Sequence, residues 1–176
     1  MTIYIRNSIP DDIYGIRLVQ KKAWLATYPN EKEGISVSDI EDVFRNDDTP
    51  EGKKNIEERK KRYEKEGVQT WVAQDDEKII GFCIAEKEEE KNRIQAIYVL
   101  PEYQRNGIGK QLMEKALVWC RNDRDIFVHV VRYNTKAIVF YKKIGFTETG
   151  KVGTFDSVAT LSCGKTLPEV ELRLVR

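Results

Sequence analysis

The 176-residue sequence has few of the residues that would indicate a secreted or metal-binding protein. It contains three widely spaced cysteines, Cys83, Cys120 and Cys163, and a single histidine, His129. An odd number of distant cysteines argues against a disulfide framework or a zinc site, so we expect no metal and a reducing cytoplasm. No apolar run approaches the roughly 20 residues that span a bilayer, and the N-terminus lacks the pattern of a signal peptide.

An excess of charge of one sign is also lacking. The sequence has 30 Lys and Arg against 29 Asp and Glu, which gives a formal net charge of +1. A chain so close to neutral has no overall field to hold nucleic acid or an anionic membrane, so we expect neither as a partner. Its length suits one domain over residues 1–176, large enough to bury a core.

The first part of the chain predicts a strand, a helix and a polar insert. The expected elements are a strand at 4–6, a helix at 13–24, a short helix at 37–44, a loop at 47–52 and a polar helix at 55–65. We interpret the insert, residues 30–67, as too polar to belong to the core. It is either a helical cover on the acceptor side of a binding site or simply a solvent-exposed insertion.

After the insert, the pattern indicates strands alternating with helices. We predict a hairpin of strands at 70–73 and 78–85, a strand at 94–99, a helix at 107–120, a strand at 126–131, a helix at 135–144, and strands at 146–152 and 170–175. The strand at 126–131 is continuously apolar, as a strand buried on both faces would be. This order predicts an α/β (α+β) fold with a mixed sheet and helices on both faces.

The first chemical signal is the segment 104–110, Gln-Arg-Asn-Gly-Ile-Gly-Lys, which follows a strand and Pro101 and opens a helix. A helix N-terminus presents unpaired N–H groups and partial positive charge, and glycine lets the backbone approach an anion closely. Arg105 and Lys110 add positive charge at its rim. Alone, the segment indicates either a diphosphate-binding turn or a helix start that needs glycine for its geometry.

A second signal begins at Asn134, at the start of the next predicted helix, and includes Tyr141 two turns later. Residues seven apart share a helix face. Both side chains are therefore expected to point into one cleft beside the turn, where neighbouring parallel strands end. The simpler interpretation of Tyr141 is a core tyrosine beside Phe140.

Together the two segments resemble the GNAT superfamily of N-acetyltransferases. The family pattern of a strand, Pro and Gln/Arg-x-x-Gly-x-Gly/Ala is matched at Pro101 and 104–109, and Asn-x-x-Ala-x-x-Phe-Tyr-x-x-x-Gly-Phe at 134–146. The resemblance covers nearly the whole chain and is weakest over 30–67. It implies a central, mostly antiparallel sheet with one splayed parallel pair, helices on both faces, and acetyl-CoA as co-substrate.

The resemblance also implies roles for particular residues. Peptide groups of Ile97, Tyr98 and Val99 would pair with the pantetheine arm, and the Val99 N–H would polarise the thioester carbonyl. Asn134 would hydrogen-bond the cofactor, while Tyr141 would contact it and protonate the departing thiolate. The pyrophosphate would be bound by the backbone N–H groups of Gln104, Arg105, Asn106, Gly107, Ile108, Gly109 and Lys110.

One position departs from the family. Related enzymes often carry a glutamate base on the strand before the turn, where this chain has Gln95, which cannot take a proton. Deprotonation must then use another group, a water chain, or an amine that arrives already neutral. Four residues lie in the expected acceptor region, although a solvated surface charge is the simpler interpretation of each carboxylate. They are Tyr28, Glu33, Asp39 and Glu41.

The acceptor is expected to be an amine, since a carboxylate cluster would suit a cation. The chain resembles the spermidine and spermine branch in Lys142-Lys143, Thr149-Gly150 and the polar insert, so we expect a polyamine ahead of an aminoglycoside, an amino acid or a protein N-terminus. A homodimer through the C-terminal strands follows from the same analogy. A regulatory module that binds acyl-CoA without turnover is the second class of function, and Tyr141 argues against it.

Two further signals are set aside. Residues 159–166 fit a loose phosphate-loop pattern, but such a loop needs a long helix after it, and Pro168 follows instead. We interpret His129, in the middle of a strand, as a packing residue or the partner of a single hydrogen bond.

Overall fold

Five α-helices, three short 3-10 helices and seven strands make up the regular structure of residues 3–63, 65–121, 123–154 and 160–176, which are those that the computed structural model describes. The helices are α1 (Ile13–Thr27), α2 (Val37–Asp42), α3 (Pro50–Tyr63), α4 (Ile108–Cys120) and α5 (Thr135–Ile144). The strands are β1 (Ile3–Asn7), β2 (Val68–Asp75), β3 (Lys78–Lys87), β4 (Asn92–Val99), β5 (Ile126–Val131), β6 (Thr147–Gly153) and β7 (Glu169–Leu174). Within these ranges, none of the helices has the length and apolar character needed to cross a membrane.

The strands form one sheet in the order β1-β2-β3-β4-β5-β7-β6. Neighbouring strands are antiparallel except β4 and β5, which are parallel and are joined through α4. Parallel neighbours need such a crossover connection, whereas the β2–β3 hairpin does not. The predicted fold, a mostly antiparallel mixed sheet with one parallel pair, is confirmed.

The parallel pair separates part-way along its length. Residues 92–94 of β4 pair with residues 126–128 of β5, although β4 continues to Val99 and β5 to Val131. The β3–β4 register shifts at the same level and leaves Gln95 as an extra residue in β4. Such a bulge bends its strand. A cleft therefore opens in the middle of the sheet.

The main apolar cluster includes Ile16 and Val19 of α1 and the buried residues of α4. Helix α4 turns one apolar stripe inward, as its spacing predicts, and packs against β2, β3 and β4. The buried residues of the stripe are Ile108, Leu112, Met113, Ala116 and Cys120. On the opposite side α1 packs against β3 and β4, so the cleft has a helix-covered face on each side.

The insert between α1 and β2 corrects two expectations. It is not too polar for the core, because Ile35, Ile40 and Phe44 are almost fully buried in a second apolar cluster that includes Trp24 of α1. The predicted loop at 47–52 and helix at 55–65 are also shifted, since α3 begins at Pro50. Proline is favoured in the first turn of a helix, where its missing N–H has no acceptor anyway.

Burial of Ile40 leads to a stability prediction for the insert. We expect Ile40→Val to lower the free energy of unfolding by about 1 kcal/mol, because it removes one methylene from a fully buried site. Val37→Ala, on the same helix but half exposed, should change it by less than about 0.5 kcal/mol. Urea unfolding curves of the two variants provide the measurement. Equal effects would mean that the insert does not unfold with the rest of the chain.

Candidate active site

The turn before α4 has the geometry of an anion-binding site. Arg105 and Gly107 have positive φ angles of 69° and 78°, so the backbone curls sharply before the helix. The first backbone bond of the helix runs from the Gln111 N–H to the Gly107 carbonyl. The N–H groups of the four residues before Gln111 therefore have no acceptor within the helix. They lie at its positive end, where a phosphate would be stabilised.

The end of β4 exposes backbone groups to the cleft. The Leu100 N–H donates to the Ile80 carbonyl at 2.8 Å, which fixes the phase of the β3–β4 ladder. Because hydrogen-bonded pairs alternate in an antiparallel ladder, the peptide groups of Ile97 and Val99 face away from β3 and towards the cleft. Those of Tyr98 face β3. Tyr98 therefore enters the site through its side chain and not, as the resemblance implied, through its backbone.

Helix α5 forms the wall of the cleft beyond β5. Asn134 caps it by accepting a hydrogen bond from the Ala137 N–H at 3.2 Å, as expected of a helix start. Tyr141 is 4% exposed and lies edge-on to Phe140 and Phe146. Burial raises the pKa of its hydroxyl well above the usual value, so the phenol stays protonated. That protonation state suits a proton donor, and the burial also suits a core tyrosine.

The α5 wall and the turn are next to each other. A Cβ built on Gly109 would lie 3.7 Å from the Phe140 ring and 4.0 Å from the Val99 side chain. The structure thus brings the turn, the end of β4 and the helix of Tyr141 together at one end of the cleft. The residue of α5 that contacts the turn is Phe140, so the predicted orientation of Asn134 and Tyr141 into the cleft stays a prediction.

Aromatic side chains border the other face of the cleft, below the end of α1. The hydroxyls of Tyr28 and Tyr98 lie 3.0 Å apart, and the Tyr133 hydroxyl donates to the Tyr28 carbonyl at 2.8 Å. Burial raises the pKa of Tyr28 and Tyr98, and the nearby charge of Glu169 adds to both shifts. These phenols stay neutral at physiological pH, so neither serves as an anionic base.

Two of the carboxylates proposed from the sequence already have structural partners. Glu33 forms an ion pair with Arg132 at 2.9 Å. Asp39 accepts hydrogen bonds from the Ser36 N–H and hydroxyl, which lower its pKa to about 2. Glu41 is exposed on α2. Glu33 therefore links the insert to the residue after β5, and Asp39 stabilises the start of α2. The expectation that they supply the missing base is not supported by their contacts.

The bulge residue Gln95 has a carboxylate beside it. Its side-chain amide donates to Glu86 of β3, which also lies 3.6 Å from the ammonium of Lys65. Glu86 could not be recognised from the sequence, because it begins a charged run that is typical of a surface turn. Only the β3–β4 register, which places Glu86 opposite Arg93, brings it next to Gln95.

The apolar run of β5 predicted burial on both faces, but the face towards α1 is only partly buried. Val128 and Val130 are buried towards α4, whereas Phe127 and His129 on the α1 side are partly exposed. The His129 Nε2 lies 3.4 Å from the Glu171 Oε2 on β7. This contact agrees with the interpretation of His129 as the partner of a hydrogen bond.

The other signals set aside have structural explanations. Residue 159 lies outside the described residues; the segment after it turns back at Leu161, whose N–H donates to the Lys165 carbonyl at 2.8 Å. Strand β7 follows, so this segment does not lead into a phosphate-loop helix. Cys83 and Cys120 are buried free thiols, and Cys163 is exposed.

The sequence agrees with a known family over the part of the chain that forms this cleft. The pattern of the acetyltransferase (GNAT) family matches residues 37–146, which include most of the insert and all of β4, the turn and α5. The chain belongs to the GNAT family. The resemblance inferred from the two short segments is confirmed at the level of the family.

Three relatives illustrate the match to GNAT proteins. Peptidyl-lysine N-acetyltransferase YjaB of Salmonella typhimurium is 35% identical over 82 residues, which are 46% of this chain and 52% of YjaB, so the match spans about half the length of this curated relative. PaiA N-acetyltransferase of Thermoplasma acidophilum, solved with coenzyme A, has a TM-score of 0.72 at 24% identity over 100% of both chains. The Escherichia coli ribosomal-protein-S18-alanine N-acetyltransferase has a TM-score of 0.67 at 17% identity over 98% of this chain and 93% of its own.

The residues present fit the co-substrate of GNAT enzymes. Unpaired N–H groups at the start of α4 suit a pyrophosphate, and the rim side chains Arg105 and Lys110 carry the matching charge. The outward peptide groups of Ile97 and the outward N–H of Val99 suit an extended arm with amide groups, which would lie beside β4 as an added strand. The Val99 carbonyl already accepts a hydrogen bond from the Gln104 side-chain amide at 3.1 Å. The chemistry of this donor set therefore agrees with coenzyme A.

Proposed function

We propose that this GNAT protein transfers the acetyl group of acetyl-CoA directly to a primary amine. The observation that carries the proposal is the cleft between β4 and β5, with the anion-binding turn at one end and the protonated Tyr141 in its wall. An anion site, an extended-chain site and an acid within one cleft provide the groups that acyl transfer from a thioester needs.

Each part of the cleft has a task in this reaction. The turn holds the pyrophosphate through the backbone N–H groups of residues 105–110, since the Gln104 N–H already donates to the Pro101 carbonyl at 3.3 Å. Asn134 binds the cofactor near the pantetheine. Ile97 and Val99 position the arm, and the Val99 N–H stabilises the charge that develops on the carbonyl oxygen. The neutral amine attacks the carbonyl carbon, the C–N bond forms and the C–S bond breaks. Tyr141 gives its proton to the departing sulfur.

The proposed acceptor is an unbranched alkyl amine. Two carboxylates on β7, Glu169 and Glu171, are each 5% exposed on the α1 side of the sheet, and Lys151 lies 3.4 Å from Glu171. The two carboxylates make this side more negative, which favours a cation there. A polyamine such as spermidine meets this requirement, and so does a lysine side chain. The lysine side chain is the second candidate because YjaB, 35% identical over 82 residues, is named for peptidyl-lysine.

A panel of amines tests the proposal. We expect thiol release from acetyl-CoA to rise several-fold over background with spermidine, spermine or a lysine peptide, and the product to gain the mass of one acetyl group. Aminoglycosides, amino acids and a peptide with a free alanine N-terminus complete the panel. If CoA binds by calorimetry while no amine raises thiol release, the chain is an acyl-CoA-binding module and not an enzyme.

A further inference from the structure

We propose that Lys165 links two segments on the α1 side of the cleft and so fixes the wall against which the amine binds. The first segment is the loop at 30–35, which follows α1, and the second is the segment at 160–168, which precedes β7. The inference rests on the proposed function, because it names a residue that positions the acceptor of that reaction.

The two segments belong to different halves of the sheet. Loop 30–35 follows α1, which packs against β3 and β4, whereas segment 160–168 lies between β6 and β7. Within the described ranges, β4 and β5 pair only at residues 92–94 and 126–128. Contacts between the loop and the segment therefore add a connection between the two halves on the α1 side, beyond the point where the strands separate.

The Lys165 ammonium binds the main chain of the loop. It donates to the Glu33 carbonyl at 2.7 Å and to the Gly34 carbonyl at 3.3 Å. A hydrogen bond from a charged donor is about twice as strong as one between neutral groups. Because both acceptors are backbone oxygens, these contacts fix the position of the loop itself and not only that of a side chain.

The conformation of the loop makes room for the ammonium. Two backbone hydrogen bonds close the loop, from the Asn30 N–H to the Ile35 carbonyl at 2.8 Å and from the Ile35 N–H to the Asn30 carbonyl at 3.0 Å. Gly34 has a φ angle of 63°, and a Cβ at this position would collide with the Lys165 Nζ. Glycine therefore both adopts the left-handed conformation and leaves space for the contact.

Below this polar link, the two segments share an apolar core with the tyrosines of the cleft. Leu161 and Leu167 of segment 160–168 are buried in the second apolar cluster together with Ile35 of the loop. The same cluster includes Tyr28, and Tyr98 packs against it. The contacts that hold the loop on the segment therefore also hold the aromatic side chains that border the cleft.

Two further links lie beside Lys165. The Ser162 hydroxyl donates to Asp39 at 3.1 Å, and Arg132 forms its ion pair with Glu33 at 2.9 Å. The Arg132 side chain is 52% exposed, so salt screens this pair and its contribution is small. We therefore expect Lys165 to contribute most to the position of the loop.

A fixed wall favours binding of the amine, which is expected on the α1 side. A wall that is ordered before the ligand arrives does not have to be ordered by it, so that entropy cost is not subtracted from the affinity. Lys165 is a positioning residue in this account, since it acts through the wall. The turn that is expected to hold the pyrophosphate precedes α4, on the opposite side of the sheet, so CoA binding should not depend on Lys165.

Lys165→Met tests the link, because methionine keeps an unbranched side chain and removes the charged donor. With the best amine of the panel, KM for the amine should rise about tenfold, the factor expected when a hydrogen bond from a charged group is lost. The kcat and the affinity for CoA should each change less than twofold. Backbone amides of 30–35 and 161–167 should exchange with deuterium faster, while those of α4 keep their rates.

Two lysine variants serve as controls. Lys165→Arg keeps a charged donor and should restore most of the affinity for the amine, with a KM within about threefold of the unchanged protein. Lys115→Met removes an exposed lysine of α4, on the other side of the sheet, and should leave both KM and amide exchange unchanged. A general effect of lower positive charge would appear in both methionine variants.

Gly34→Ala tests the same contact from the loop. The added Cβ occupies the space of the Lys165 Nζ and is strained at a φ angle of 63°. KM for the amine should therefore rise at least as much as in Lys165→Met, with kcat and CoA affinity again retained. An unchanged KM in this variant would contradict the link.

The outcomes separate this inference from the proposed function. If the unchanged protein acetylates an amine and Lys165→Met keeps its KM, the link does not position the acceptor and only the inference fails. It also fails if KM rises without faster exchange in the two segments, or if kcat, KM and CoA affinity all change together, because Lys165 then supports the fold as a whole. If no amine is acetylated by any form of the protein, the proposed function itself fails.

Discussion

Replacing Tyr141 with phenylalanine should lower kcat at least about 100-fold, the usual loss when a positioned acid is removed. Phenylalanine keeps the ring that packs between Phe140 and Phe146 and deletes the hydroxyl. The affinity for CoA should therefore change less than threefold, as measured by calorimetry. Because burial raises the pKa of this phenol, kcat of the unchanged protein should show no loss from its ionisation below pH 10.

A matched control for this variant is Tyr14→Phe. Tyr14 is about half exposed near the start of α1, at the opposite end of the helix from Tyr28, and its hydroxyl contacts Glu57 at 3.0 Å. The kcat of Tyr14→Phe should equal that of the unchanged protein. If Tyr141→Phe also keeps the full rate, the core-tyrosine interpretation is right and the thiolate takes its proton from elsewhere.

Gly109→Asp should weaken CoA binding by about 1,000-fold. The new carboxylate would enter the turn that we expect to hold the pyrophosphate, and two like charges about 4 Å apart at an effective dielectric constant near 20 repel by about 4 kcal/mol. A Cβ at this position meets Phe140 at 3.7 Å, an ordinary contact, so the fold should accept the substitution. Calorimetry with CoA gives the dissociation constant.

Two controls isolate the charge at Gly109. Gly109→Ala adds the Cβ without charge and should bind CoA far better than the aspartate variant. Val118→Asp adds the same charge on α4 at a position that is 79% exposed, and should bind CoA normally. Retained binding in Gly109→Asp would mean that the turn does not hold the pyrophosphate.

The sequence was informative wherever a signal lies within one short segment. The turn at 104–110 and the spacing from Asn134 to Tyr141 are local, so a strand, a glycine turn and a helix face could be predicted from them. Capping of α5 by Asn134 and the inward stripe of α4 agree with such local reasoning.

Pairings between distant strands could not be predicted in this way. His129 and Glu171 are 42 residues apart, and their contact depends on the β5–β7 register. Glu86 meets Gln95 only because the bulge shifts the β3–β4 ladder. A mid-strand histidine and a charged run give no local sign of either neighbour, because each register is set by the packing of the whole sheet.

The insert shows a second limit of prediction from the sequence. Its average polarity is high, yet Ile40 and Phe44 are 0% and 1% exposed. Composition averages over a segment, whereas burial depends on a few residues that share one side of it. The second core was therefore predictable only by asking which apolar residues of the insert could meet Trp24.

The three residue pairs that join β4 to β5 also affect how rigidly the two parts of the sheet are held together. They and α4 connect the half-sheet β1–β4 to the half-sheet β7, β6 and β5. We expect a ligand that fills the gap beyond Ile94 to hydrogen-bond to one half-sheet and to pack against the other, so that it links the two half-sheets. Occupancy of the cleft and rigidity of the chain are then coupled, and the protein is most firmly assembled when it is ready to react.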